Sequence, residues 1–328
     1  MIKTKPLKLA QIALITIATA FGGMRAQAED YPTRPIQVIV PFAGGSASDV
    51  VTRIMLNEME SSLGQHFVVE NRPGAGGNTG TAAATRAAPD GYTLLMSTSG
   101  PLAANRTLFK NLGYDPEKDL TPISLFAILP NVIVINSKLP PKTLIEFIAY
   151  AKAHPKQLNY GSVGVGSSQH LAAAYFEQIT GVQLTHVPYR NIAQYTPDFI
   201  AGQVPLGFQL LPNVLGLLKS GDARALAVTS AKRITALPNV PTAAEAGVKN
   251  YETYAWLALL APAGTPRPIV DRIYKAMMEA LKNPVVKARF VQQGAEPFSP
   301  GPDELAKFIK SETVKLGEII NKAGIPPM

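Results

Sequence analysis

From residue 36 onward, short runs rich in β-branched residues alternate with longer stretches whose apolar positions recur every three or four residues. That alternation predicts parallel sheets joined by crossover helices. Residues 36–42 (IQVIVPF) read as a first strand, and Val50, Ile54, Met55, Met59 and Leu63 mark one face of the helix that follows. Strands are expected over 66–70 and 92–97 with an Ala-rich helix over 79–86 between them, which makes a doubly wound unit.

A second group repeats this grammar. Two β-rich runs, 123–129 and 131–136, are split by Pro130; a helix follows over 144–154, a strand over 158–163 and a helix over 171–180. Further strands are expected over 183–187, 206–211 and 223–229. The last part changes character: an apolar strand over 254–261, a Pro-Gly turn over 261–266, then helices over 269–282 and 303–323. Terminal helices that fold back onto the first unit make it discontinuous. The expected division is 29–130 plus 253–328 for one domain and 131–252 for the other, each a mainly parallel sheet flanked by helices. Tyr251, Tyr254 and Trp256 sit in or beside an apolar strand and are expected in the core.

The first residues have a different logic. Lys3, Lys5 and Lys8 precede the apolar run 9–21, and Ala26-Gln27-Ala28 follows it, which is the order of a cleavable secretory signal peptide over 1–28. The run is shorter than the roughly 20 residues that span a bilayer. Removal of this leader takes away four cations and no acid, so the net charge falls from +8 to +4. The remaining cations are interspersed with acids, which argues against nucleic acid as a partner. The absence of cysteine excludes disulfides, thiolate metal sites and cysteine nucleophiles.

Two loops carry candidate chemistry. Pro41 to Asp49 (PFAGGSASD) joins the first strand to the first helix, and Tyr160 to His170 (YGSVGVGSSQH) joins a later strand to a later helix. In each, glycines let the backbone turn and a serine is placed to cap the helix, whose free N–H groups and dipole favour an anion. The second loop is spaced G-x-x-G-x-G, which is neither the dinucleotide fingerprint nor a P-loop. In open α/β sheets ligands bind at the carboxyl ends of strands, so two such loops facing each other would hold a small anion between lobes. Ser97-Thr98-Ser99-Gly100 supplies further hydroxyls at another strand end. No G-x-S-x-G elbow occurs, and His66, His154, His170 and His186 show no metal-ligand spacing. Neither a metal nor a cofactor is expected.

At these loops the chain resembles the substrate-binding proteins of tripartite tricarboxylate transporters, the Bug family. The resemblance rests on VIVPFAGGSASDVVTR (38–53), VVENRPGAGGNTGTAAATRAAPDGYTLL (68–95), NYGSVGVGSSQHLAAAYF (159–176), HVPYR (186–190), RALAVTSAKRITALPNVPTAAEAG (224–247) and LLAPAGTP (259–266). It implies an α/β, two-lobed periplasmic binding fold (type II-like) with crossover strands as a hinge. It also implies capture of a carboxylate, delivery to a membrane permease and no catalytic residues. Ligands in the family include di- and tricarboxylates, amino acids, nicotinate and aromatic acids. By position, binding roles fall on Gly45, Ser46, Ser48 and Asp49 in the first loop and on Gly166, Ser167, Ser168 and His170 in the second, with Thr98, Ser99, Tyr189 and Arg190 beyond them. The expected partners are a small carboxylate and the permease, and the expected state is a monomer in the periplasm.

Three departures from the family pattern bear on specificity. Arg190-Asn191 stands where Lys-Gly is common, Gln209 where an acid often follows the strand phenylalanine, and Arg106 where proline is usual. Loss of a carboxylate at 209 and a guanidinium at 190 or 106 would favour a ligand with a second anionic group. Two other readings remain at this level: an exported α/β hydrolase using His170 or His186 with a loop serine, and a ligand sensor for a receptor kinase.

Overall fold

The computed structural model describes residues 31–328; the expected leader lies outside the described residues. Among the described residues ten strands form one sheet: β1 (Ile36–Val40), β2 (Phe67–Asn71), β3 (Thr93–Thr98), β4 (Leu120–Asn136), β5 (Asn159–Ser162), β6 (Thr185–Pro188), β7 (Leu206–Leu210), β8 (Ala223–Val228), β9 (Tyr254–Pro262) and β10 (Glu296–Pro297). The order is β2-β1-β3-β9-β4-β7-β5-β6, with β8 and β10 added against β4. The two wings are parallel, β2-β1-β3 on one side and β7-β5-β6 on the other. The strands that run between them, β4 and β9, pair antiparallel with each other and with the wings.

The two runs expected on either side of Pro130 are one strand. Its first part pairs with β9 up to Pro130 opposite Tyr254, and from Asn131 onward it pairs with β7 and β8. Proline has no N–H to give a ladder and is tolerated where pairing changes. Pro130 falls at that change of partner, so the strand continues through it.

The crossing is tied by one threonine. Thr229 Oγ1 accepts the Asn131 N–H at 2.8 Å and donates to the Thr253 carbonyl at 2.5 Å, while Asn131 Nδ2 reaches the Phe208 carbonyl at 2.9 Å. Asn131 and Thr229 are fully buried. Both strands that connect the wings therefore meet at one buried hydroxyl.

Each wing has its own core. Val38, Leu94, Phe126 and Leu257 pack with Met55, Met59, Ile273 and Met277 from the helices Ala47–Leu63 and Arg267–Lys282. Ile133, Phe147, Phe176, Phe208 and Tyr251 form the second cluster. Complete burial of a side chain such as Phe208 stabilises by about 1.5–3 kcal/mol. The C-terminal helix Pro302–Lys322 returns to the first wing, where Glu312 accepts from the fully buried Trp256 Nε1 at 3.0 Å. Trp256 and Tyr251 are core, as expected, and Tyr254 is half-buried.

Thr229→Val removes the buried acceptor of Asn131 N–H. An unmade buried hydrogen bond costs about 1–3 kcal/mol, so the urea midpoint is expected to fall with an unchanged slope, and Thr229→Ser is expected to retain most of the stability.

Candidate functional site

The two glycine-serine loops are one device used twice. Ser46 (φ −67°, ψ 161°) caps the helix Ala47–Leu63 by accepting the Asp49 N–H at 3.4 Å. Ser167 (φ −66°, ψ 158°) caps the helix Ser168–Thr180 by accepting the His170 N–H at 3.4 Å. In each case the residue at the third helical position reaches back to a loop glycine: Gly45 N–H donates to Asp49 Oδ2 at 2.9 Å, and Gly166 N–H to His170 Nδ1 at 3.3 Å. Short polar caps of this kind leave the other first-turn amides available. Both helices began earlier than the apolar spacing suggested, because the first turn is set by the cap.

Asp49 and His170 hold these loops in shape. Asp49 is buried and takes N–H groups from Gly45, Asn71 and Arg53. Burial alone would raise its carboxyl, but the hydrogen bonds from Arg53, Asn71 and Gly45 outweigh it and hold the pKa below the ordinary carboxylate range. His170 receives its hydrogen bond on Nδ1, which requires that nitrogen to be unprotonated. Its ring lies 4.4 Å from that of His186, which stacks on Tyr160 at 5.0 Å. Burial lowers His170 to about 4. Burial and then the neighbouring His170 lower His186 to about 3.

Ser46, Ser48 and Thr98 from one wing and Ser167 and Ser168 from the other line a single space, together with Phe42, Val163, Leu210 and Asn213. The hydroxyls of Ser48 and Thr98, both on buried residues, have no hydrogen-bond partner among the described residues. Ser99 and Ser168 line an adjoining space on the side of the C-terminal helix. Gly45, Asp49, Gly166 and His170 line neither of these spaces; they support the loops that do.

Asn213 was not anticipated. It stands at the third position of the helix Leu211–Ser220, which brings a third helix start to the same space. Its Oδ1 accepts the Ala47 N–H at 2.9 Å, and its Nδ2 donates to Gln209 Oε1 at 3.2 Å. Gln209 in turn donates to the Gly161 carbonyl at 2.8 Å and is fully buried, so it is a structural link and does not face the space. The Leu-Pro-Asn that opens this helix was a usable signal, since proline favours the first turn, but the preceding Leu210-Leu211 reads as strand.

The wings also touch beyond the serines. A Cβ on Gly76 (φ 62°) would lie 2.2 Å from the Val165 carbonyl oxygen, and one on Gly166 (φ 83°) would lie 1.8 Å from Asn105 Oδ1. Only glycine permits these approaches. Tyr189 is buried and its hydroxyl donates to Asp198 at 2.6 Å. Arg190 is exposed at the rim. Arg106, considered above for a second anion, is ion-paired with Glu117 and lines none of the spaces.

A hydrolytic pairing has little access here. Ser162 Oγ lies 2.6 Å from His186 Nε2, but Ser162 is fully buried and lines none of the spaces. No group of His, Asp or Glu suited to a metal ion occurs among the described residues, and no helix there is long and apolar enough to cross a membrane.

Residues 51–325 match the tripartite tricarboxylate transporter family receptor, TctC. The chain belongs to this family. Protein BugT of Bordetella pertussis is 37% identical over 97% of this chain and 98% of its own length. Among solved structures, R. palustris Rpa4515 with adipate is 36% identical with a TM-score of 0.88, covering 91% of this chain and all of that one. MatC from Rhodopseudomonas palustris with bound malate is 34% identical with a TM-score of 0.82, covering 88% of this chain and all of that one. The chain thus has the two-lobed architecture of periplasmic binding proteins, and its relatives are solute-binding proteins.

His170, which is buried, and His186, which is half-buried, give the chain a pH dependence. An unfolded imidazole titrates near 6.5, and the folded pair only near 4 and 3. The folded pKa values are depressed, so the stabilisation is fully present above about pH 6.5 and is lost as pH falls toward 4 and 3. The melting temperature of the unliganded protein is expected to drop over that window, and His186→Phe to flatten the drop; equal profiles would contradict this assignment.

Proposed function

We propose that this protein captures a small carboxylate in the periplasm between its two lobes and, as a monomer, delivers it unchanged to the permease of a tripartite tricarboxylate transporter. The observation that carries this reading is the pair of matched, serine-capped helix starts from opposite wings, whose hydroxyls and amides share one space. Two helix N-termini aimed at one anion each contribute about 0.3–1 kcal/mol when exposed and up to about 2 when partly buried. Their neutral hydroxyl and amide donors suit a carboxylate that must later be released.

Ser46, Ser48, Thr98, Ser167, Ser168 and Ser99 are assigned to the ligand, and Gly45, Asp49, Gly166 and His170 to the shape of the loops. An Asp49 carboxylate already saturated by N–H groups has no reason to meet a second anion. The lobes are taken as 29–130 with 253–328 and 131–252; the change of strand partners at Pro130 and Asn131, and the tie to Thr253, support that division. Closure then consists of rotation about the β4 and β9 crossings. The bound adipate and malate of the two relatives agree with a carboxylate in this cleft.

A thermal-shift panel of mono-, di- and tricarboxylates with their neutral amides tests the reading. At least one acid is expected to raise the melting temperature and its amide to leave it unchanged. Equal stabilisation by the amides, or chemical turnover of the ligand, would overturn it. Thr98→Val and Ser168→Ala are each expected to weaken the best acid by roughly 5- to 30-fold, the loss of a hydrogen bond worth about 1–2 kcal/mol.

A further inference from the structure

With the lobes divided as above, one hydrogen bond among the described residues passes between them away from the β4 and β9 crossings, and no ion pair does. It runs from Ala47 N–H on the first lobe to Asn213 Oδ1 on the second, at 2.9 Å. Ala47 is the first residue of its helix, so its N–H has no acceptor within that helix.

The Asn213 amide is oriented from behind. The Gly161 carbonyl can only accept, so Gln209 turns Nε2 toward it at 2.8 Å and presents Oε1 to Asn213. That oxygen needs a donor, which is Asn213 Nδ2 at 3.2 Å, and Oδ1 is thereby left for Ala47. Gln209 is fully buried, so the amide has a fixed seat in its own lobe.

The other contacts between the lobes set no such register. Ala104, Leu108 and Ile320 of the first lobe cluster with Leu171 of the second. Elsewhere the lobes meet backbone on backbone: a Cβ on Gly100 would lie 2.7 Å from the Gly166 carbonyl oxygen. Apolar and Cα–H contacts of this kind are individually weak and loosely directional. The Ala47–Asn213 bond is the directional one.

We propose that Asn213 is a closure clasp: its bond to Ala47 favours the closed lobes, so the closed arrangement is populated before a ligand arrives. This goes beyond the carboxylate reading and rests on the two lobes, not on the chemistry of the ligand. Asn213 is then a positioning residue that acts through Ala47. Affinity for a ligand that needs closed lobes scales with the fraction of molecules already closed, so loss of the clasp weakens different ligands by one common factor. Loss of a residue that touched the ligand would discriminate among them.

The chain has no cysteine, so Val68→Cys on the first lobe and Ile145→Cys on the second, both exposed, give one spin-label pair. Its distance distribution is read by double electron–electron resonance on the unliganded protein, on Asn213→Ala, on Ala47→Pro and on the double variant. Proline suits the first helical position and deletes the N–H from the other side of the bond. Ser46, at ψ 161°, already has the backbone that a following proline requires. Asn213→Ala also strips Gln209 of a donor and Ala47→Pro does not, so opening common to both belongs to the bond. The native protein is expected to show a populated closed distance, and each single variant to lower the closed-to-open ratio by about two- to tenfold. The double variant is expected to open no further than Asn213→Ala, because both changes delete one interaction. In calorimetry with malate and with adipate, Asn213→Ala is expected to weaken whichever binds by that same factor. An open distance alone in the native protein, an unchanged ratio in either single variant, additive opening in the double variant, or unequal weakening of the two acids overturns the proposal. If neither acid binds, the distances still decide the clasp, and it is the carboxylate reading that loses support.

Discussion

A helix that begins inside a protein leaves several backbone N–H groups without acceptors, and each must find one. Three such beginnings, at Ala47, Ser168 and Leu211, are brought to one space here. Ser46 and Ser167 each satisfy one amide of their own helix, and Asn213 satisfies that of Ala47 from the opposite wing. The donors that remain define what the cleft accepts. The backbone around it is bent to deliver them, through glycines whose conformations other residues rarely adopt.

The same constraint explains the supporting residues. Asp49 and His170 occupy equivalent helical positions and perform the same task with different chemistry, each accepting a glycine N–H from its own loop. An ionised aspartate can do this in the first wing because Arg53 and Asn71 neutralise and solvate it. In the second wing the acceptor is an imidazole kept neutral by burial beside a second histidine. A neutral acceptor keeps the second loop free of negative charge, which suits a site for an anion. Between the wings, the Ala47–Asn213–Gln209–Gly161 chain of hydrogen bonds couples the first helix start to β5, the strand that leads into the second loop.

Much of this was legible in the sequence because capping and turn chemistry are local. The spacing of Gly45, Ser46 and Asp49, and of Gly166, Ser167 and His170, announces two helix starts without any tertiary information. The strand and helix alternation read in the sequence recurs in the elements of both wings, and the late apolar run is the strand β9. What was hidden is what depends on pairing across the fold. Pro130 reads as a break until its neighbours show that the ladder changes partner there. Gln209 reads as a candidate contact until its donor is seen to be spent on Gly161. Arg106 and Arg190 are indistinguishable in the sequence; the fold separates them, pairing Arg106 with Glu117 away from the cleft and leaving Arg190 at its rim. Asn213 sits behind two leucines that continue a strand pattern, so its helix start had no local marker stronger than Pro212.

The central claim is that helix starts from both wings hold one carboxylate together. Its most direct test is a ¹⁵N-¹H spectrum of the assigned protein, followed through a titration with the tightest-binding acid. The amide of Ser48 and those of Ser168 and Gln169 are predicted to shift along one saturation curve. Shifts confined to one wing, or a binding curve carried by amides away from both loops, would contradict it.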